Sequence, residues 1–392
     1  MEYVDPAPFE VEAQGQRLAF YPAGKDRLAA LLALIEGARQ SIRMCFYIFA
    51  EDASGVRVRD ALANAARRGV DVNVIVDGFG AEARRKFFAP VTAAGGTFCA
   101  FSPRWSKRYL IRNHQKMVIV DRAIAMVGGF NIADDYFAPP QANGWNDLAV
   151  TIEGSAVDSL SLWFDELDAW TADPRAPWRT IRRMVRQWDP GSGPVQVLIG
   201  GPTESLSGWA RSVRADLLLG KRLDMVMAYF SPSNRAMRAI GRISRSGGAR
   251  LLFAAKSDNG ATIGATRSLY TYLLKRRAHI FEFEACKLHT KLIVIDDVCY
   301  FGSANFDMRS LFLNLEVMLR IEDGELARRL SDYVSHQITA SRHITPTLHK
   351  QRSTLFNRVR WNLAWFLVAV LDYTVTRRLN LGLAPVPASD GS

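Results

Sequence analysis

The sequence predicts an α/β protein made of two tandem copies of one domain, each a mixed β-sheet flanked by helices, related by a pseudo-twofold axis with one shared active site. Three observations predict it. A His-x-Lys stretch leading into an apolar strand and an Asp occurs twice, as NHQKMVIVD at 113–121 and as LHTKLIVID at 288–296. Each copy continues through a second short strand into Gly-Gly or Gly-Ser and then an Asn, so that His114, Lys116, Asp121 and Asn131 answer to His289, Lys291, Asp296 and Asn305. Each copy also follows the same succession of buried strand, loop, amphipathic helix, Gly turn and buried strand, the signature of a sheet covered by helices.

The elements can be taken in order. SIRMCFYIF at 41–49 and VDVNVIVD at 70–77 read as buried strands of the first half, with LDMVMAYF at 223–230 and ARLLFAA at 249–255 as their counterparts. The break falls in WDPGSGPVQVLIGGPTE at 188–204, which gathers Pro, Gly and Ser before a new apolar strand. We therefore expect a first domain over 1–188, a second over 189–345 and a C-terminal amphipathic or apolar tail over 346–392. RAPWRTIRRMVRQW, just before the break, reads either as a solvated helix face or as a border of the substrate entrance.

In the tail, the uncharged run from Trp361 to Leu371 is 11 residues long, against about 20 for a bilayer crossing. Arg358, Arg360, Arg377 and Arg378, with Trp361 and Trp365, suit a helix lying at a membrane interface. A helix packed on the protein core is the alternative.

Composition narrows the partners. The 392 residues carry 50 Lys+Arg against 39 Asp+Glu, a formal charge of +11, which favours an anionic partner, nucleic acid or lipid surface. Cys45, Cys99, Cys286 and Cys299 are scattered with no CxxC pair, so neither a zinc site nor a disulfide framework is suggested. The acidic N-terminal stretch has no basic and apolar export signal, so a cytoplasmic location is expected.

Side chains two apart on a strand share a face, so each His points with its Lys, while each Asp sits at the turn that ends the strand and braces it. Two lysines and two asparagines converging on one point offer charge and hydrogen bonds to a tetrahedral anion such as a phosphodiester transition state. Of two imidazoles, one can attack phosphorus while the other gives a proton to the leaving alcohol. No metal is expected, because the motifs lack acidic or thiol partners at ligand spacing and the lysines would repel a cation. Each imidazole needs an acceptor on its second nitrogen. Asp147 in WNDLAV and Glu316 in NLEVML are the candidates, and whether each serves its own half or the other stays open. His279, His336, His343 and His349 lack such company.

NHQKMVIVDRAIAMVGGFNIADDYF and LHTKLIVIDDVCYFGSANFDMRSLFLNLE resemble the paired motifs of the phospholipase D superfamily, and within it the bacterial cardiolipin synthases of the B type. The resemblance covers nearly the whole chain. It implies catalytic His114, Lys116, Asp121, His289, Lys291 and Asp296, with Asn131, Asn305 and Ser303 binding the substrate phosphate and no cofactor. It implies transphosphatidylation, in which His114 takes a phosphatidyl group from one phosphatidylglycerol and passes it to another, with His289 as acid and then base. Gly129 departs from the serine that Ser303 represents. The second copy has one residue fewer between Asp296 and Gly302, which implies a tighter hairpin.

The expected partners are phospholipids and a membrane surface met through basic and Trp-rich segments, including SPRWSKRYLIRNH at 102–114. That places the protein peripherally on the cytoplasmic side of the cell membrane. No nucleic acid is expected, although the same chemistry serves any phosphodiester, so a nuclease stands as one alternative and a hydrolase, or an exchange enzyme using phosphatidylethanolamine, as another.

Overall fold

The computed structural model describes residues 3–80, 85–101, 112–173, 175–203 and 206–371. Most of the basic stretch at 102–114, and Arg377 and Arg378 of the tail, lie outside the described residues.

Two eight-stranded mixed sheets form the frame. In spatial order the first runs Phe9–Ala13, Gln16–Tyr21, Ala149–Glu153, Ile124–Gly128, Met117–Val120, Ser41–Phe46, Asp71–Asp77 and Thr97–Phe101. The second runs Val195–Gly200, Glu316–Glu322, Val298–Gly302, Lys291–Ile295, Leu223–Met227, Ala249–Ala254, His279–Phe283 and Ser341–His343. The same sequence of parallel and antiparallel neighbours recurs. Ser41–Phe46 pairs parallel with Asp71–Asp77 and antiparallel with Met117–Val120, as Leu223–Met227 does with Ala249–Ala254 and Lys291–Ile295.

The motif strands read as continuous apolar runs because both of their faces are covered. Met117 and Ile119 point into a central core shared with Leu292 and Val294 of the other half. Val118 and Val120 point away from it into a helix-covered core, and Ile293 and Ile295 do the same in the second half. The central core also takes Trp163 and Phe164 from the helix Ser155–Ala172 and Leu330 and Val334 from the helix Gly324–Thr339. Phe20 of one sheet meets Phe301 of the other edge-on at 5.4 Å. The halves are therefore welded by apolar packing, and the motif strands meet at its centre.

The two motif hairpins differ as the one-residue deletion implies. Val120 pairs with Ile124 across a three-residue connection in which Asp121 and Arg122 have φ of 53° and 54°, whereas Ile295 pairs with Val298 across two residues, with Asp296 at φ 52°. Asp tolerates this left-handed region better than most residues because its short side chain can hydrogen-bond locally.

The basic segment before the break forms the helix Trp178–Gln187, which buries Ile181 and Val185 and leaves Arg179, Arg183 and Arg186 exposed. At the C-terminus, the helix Leu355–Trp365 lies against Gly260–Ser268. Of the two readings of this segment, a helix at a membrane interface or one packed on the protein core, the tryptophans follow the second. Trp361 is buried and stacks on His349 at 5.9 Å, and the Trp365 indole nitrogen is also buried. The reason is spacing: Trp361, Ala364 and Trp365 recur at i, i+3 and i+4, a single helical face, and that face is the one turned to the protein.

Candidate active site

The two histidines sit just before their strands, where each backbone is held by the opposite half. The His114 N–H donates to the Leu315 carbonyl at 2.9 Å, and the His289 N–H donates to the Asn146 carbonyl at 2.7 Å. These contacts are reciprocal, since Leu315 and Asn146 are the residues immediately before Glu316 and Asp147. The side chains cross in the same way. Nδ1 of His114 lies 3.0 and 3.1 Å from the two Glu316 carboxylate oxygens, and Nδ1 of His289 lies 2.6 Å from Asp147 Oδ2. Each carboxylate thus serves the histidine of the other half. With Nδ1–H committed to a carboxylate, Nε2 carries the free lone pair.

Lys116 and Lys291 are fully buried between the histidines and donate from Nζ to the carbonyls of His114, at 2.6 Å, and His289. Burial, with the second lysine nearby, brings Lys116 down to about 7, against the pull of Glu316. Burial brings Lys291 down to about 8, against Asp147 and Glu316. The imidazoles are depressed further, His114 to about 4 and His289 to about 3, by burial first and by the two ammonium groups, with their carboxylates opposing. Both imidazoles are therefore neutral at pH 7. An anion seated between the lysines offsets their charge and raises the tendency of an imidazole to hold a proton, so the acid form belongs to the occupied site.

The remaining expected residues divide into groups inside and outside the cleft. Asn131 and Asn305 are buried. The Asn131 amide oxygen accepts the Ile48 N–H at 3.2 Å, while the amide oxygen of Asn305 has no partner among the described residues. The Ser303 hydroxyl donates to Glu316 and accepts the Val317 N–H at 3.0 Å. It steadies the carboxylate that holds His114.

Asp121 and Asp296 sit at the turns that end the motif strands, as their spacing implies. They close the hairpins at the far ends of the motif strands, about 3.3 Å per residue away from the lysines. Asp121 accepts the N–H groups of Arg39, Gln40 and Ser41 at 2.9, 2.7 and 2.8 Å, and Asp296 accepts those of Lys221 and Arg222. They pin each hairpin to the start of the neighbouring strand.

The Gly129 departure has a steric cause. A Cβ there would lie 2.5 Å from Asp147 Oδ1 and 2.8 Å from Lys291 Cδ. The first half combines a glycine with the shorter carboxylate, and the second combines Ser303 with the longer one.

Aromatic rings wall the cleft. Tyr47 lies 4.8 Å from His114, and Tyr136 and Trp145 lie 5.1 and 5.2 Å from His289 (centroid distances). At the rim the Arg112 guanidinium stands 3.4 Å over the exposed Phe79 ring. Sequence reasoning missed Arg27, which is fully buried behind Asp147 and donates to the backbone carbonyls of Pro22, Tyr136, Trp145 and Asp147. The available signal was a charge on the apolar stripe Gly24, Arg27, Leu28, Leu31, Ile35 of its helix. Among the described residues no cluster of three or more His, Cys, Asp or Glu is placed to hold a metal ion.

Comparison with known proteins follows the same lines. The family model described as cardiolipin synthase, PLD-like domain, matches residues 31–167 and 218–338. Cardiolipin synthase 1 of Bacillus cereus is 33% identical over 315 residues, which cover 75% of this chain and 61% of that protein. The major cardiolipin synthase of Bacillus subtilis is 30% identical over 358 residues, covering 89% and 74%. The chain thus spans less than two thirds of the first of these relatives. Among solved structures, phosphatidylserine synthase of Haemophilus influenzae superposes with a TM-score of 0.73 at 14% identity, covering 94% of this chain and 96% of that one. Polyphosphate kinase of Porphyromonas gingivalis does so with a TM-score of 0.55 at 16% identity, covering 86% and 49%. The structural matches speak for the fold, and the sequence matches, falling on both motif-bearing halves, place the chain in the cardiolipin synthase family of phospholipase D-like proteins.

Proposed function

We propose that the protein is a phosphatidyltransferase that makes cardiolipin from two molecules of phosphatidylglycerol. The observation that carries this reading is the crossed arrangement of His114–Glu316 and His289–Asp147 around two buried lysines. Each half alone lacks the acceptor its histidine needs, so the reacting phosphodiester is taken to lie where the two halves meet.

The reaction runs in two balanced steps. Nε2 of His114 attacks phosphorus, the bond from phosphorus to the glycerol headgroup oxygen breaks, and His289 gives that oxygen a proton as glycerol leaves. A hydroxyl of the second phosphatidylglycerol then attacks the phosphohistidine, its proton passes to His289, and the phosphorus–nitrogen bond breaks. Lys116, Lys291 and the Asn131 and Asn305 amides face the charge that builds on the non-bridging oxygens. The choice of His114 as nucleophile is supported by its greater openness, 12% side-chain exposure against 5% for His289. The lysine charges and the aromatic walls favour an anionic lipid headgroup and limit water around the intermediate.

The proposed location is the cytoplasmic face of the cell membrane, held peripherally. Among the described residues no helix is long and apolar enough to cross a membrane. Cys45, Cys286 and Cys299 are free buried thiols, which suits a reducing compartment.

The test is to incubate the protein with vesicles of labelled phosphatidylglycerol in the presence of a chelator, beside His114→Ala. Cardiolipin and glycerol in equal amounts, lost in the variant, are the expected products. Phosphatidic acid would make the protein a hydrolase, and turnover of a nucleic acid with no lipid product would make it a nuclease.

A further inference from the structure

The C-terminal helix has two apolar faces, and the protein uses only one. Trp361 and Ala364 turn inward, 5% and 8% exposed, onto the helix Gly260–Ser268. A Cβ at Gly264 would come within 2.9 Å of Ala364 Cβ, so the glycine sets how closely the two helices approach. On the other side Leu355, Phe356, Val359, Leu363, Phe366 and Leu367 are 79, 75, 60, 55, 45 and 45% exposed. At 100° per residue these six fall within a sector of about 120°. A contiguous row of six large apolar side chains on the surface marks an interaction site rather than the ordinary scatter of single exposed residues.

The surroundings of the row decide what covers it. Exposed Arg358 and Arg360 flank it, and residues 346–371 contain no Asp or Glu. An apolar stripe edged by arginines and free of acids matches the boundary between the acyl chains and the headgroups of an anionic bilayer. The stripe is also tied to the reaction cleft. The Tyr229 ring lies 6.4 Å from His289, and its hydroxyl donates to Asp258 at 3.0 Å. The next residue, Asn259, caps the helix Gly260–Ser268, which the C-terminal helix rides.

We infer that the outer face of the C-terminal helix is a membrane-docking surface that lies in the headgroup layer of an anionic bilayer and sets the mouth of the cleft against it. The inference rests on the reading of the substrate as a phospholipid. It specifies how a chain whose described helices do not span the bilayer reaches a substrate confined to one. The tryptophans act as the protein-side anchor of the helix, and the leucine and phenylalanine side chains are the part that enters lipid.

The test uses the full chain and the double variant Phe356→Ser, Leu363→Ser. Both side chains point away from the protein, so thermal unfolding should match the unaltered chain. Co-sedimentation with vesicles of phosphatidylglycerol and phosphatidylcholine should weaken at least tenfold in the variant. Turnover of a short-chain phosphatidylglycerol, dispersed below its micelle concentration, should stay within about twofold. Unchanged sedimentation would overturn the inference. So would a change from dimer to monomer by light scattering with vesicle binding intact, since the face would then belong to a second copy of the chain. Sedimentation is read without any reaction, so a protein that docks but makes no cardiolipin would sink the proposed function and leave the docking surface standing.

Discussion

His289 donates from Nδ1 to Asp147 at 2.6 Å across 142 positions of sequence, and the partner interaction, His114 with Glu316, spans 202. Each half orients the imidazole of the other. Neither histidine is therefore set for chemistry until both halves are folded and docked.

Exchange of the carboxylates for amides tests this crossing. Glu316→Gln should impair the step that uses His114, and Asp147→Asn the step that uses His289, each lowering turnover by about a hundredfold or more. The expected signature in rapid-quench measurements is slow formation of the covalent intermediate, with glycerol released in step with it, in both variants, and slow transfer to the second phosphatidylglycerol chiefly in Asp147→Asn, where His289 acts again as base. The same effect on both steps in both variants would argue against separate roles.

Lys116→Met and Lys291→Met should each abolish measurable turnover while leaving thermal stability equal or higher. A buried ammonium costs desolvation that a methionine of similar length does not. Retention of near-normal lipid turnover in either variant would remove the lysines from the mechanism.

The histidines also shape the response to acid. The folded chain holds them neutral down to about 4 for His114 and about 3 for His289, because burial disfavours the charged ring. The unfolded chain protonates histidine near 6.5. Between these values the unfolded state binds more protons, so stability falls as pH falls from about 6.5 towards 4. Denaturant unfolding at several pH values should give a shallower fall for His289→Gln than for the unaltered chain. Parallel curves would contradict the depressed titration.

Gly129→Ser would install the residue found at the matching place of the second half, and it should still be harmful. Its Cβ collides with Asp147 Oδ1, so the carboxylate must leave His289. Turnover should drop at least tenfold, and Gly129→Ser combined with restoration of space elsewhere is not needed to see it. The reverse change, Ser303→Gly, removes one hydrogen bond from Glu316 and leaves the buried Val317 N–H without its acceptor, and should cost about 2 kcal/mol of stability.

Arg27→Met should destabilise the protein by about 3 kcal/mol, since it leaves the carbonyls of Tyr136, Trp145 and Asp147 without their donor in a buried setting. Chemical denaturation gives the stability, and loss of His289 function should accompany it because Asp147 sits on that segment.

How much of this was legible in the sequence follows from what repeats and what does not. The fold class could be read because MVIV and LIVI each precede a hairpin Asp, and because a strand buried on both faces has no polar alternation. The pairing of His114 with Glu316 could not, since no local pattern reports which half supplies an acceptor. Arg27 was hidden because its partners are backbone carbonyls, which leave no trace in residue types. The orientation of the C-terminal helix stayed open because its residues supply two apolar faces, and only the packing against Gly264 decides which one the protein keeps. The Ser303 contact was hidden for a related reason: its hydroxyl turns to Glu316, a neighbour in space 13 positions away.

The central claim is that two halves build one centre with one nucleophile, and a single trapping measurement bears on it most directly. The unaltered chain would be mixed with phosphatidylglycerol labelled in the phosphate, quenched in alkali within the first turnover and mapped by mass spectrometry. One label per chain, on His114, and its disappearance in the same chain with Glu316→Gln, are the results predicted. Label on another residue, label on two residues in each chain, or labelling that survives the loss of Glu316 would contradict a single centre assembled across the two halves.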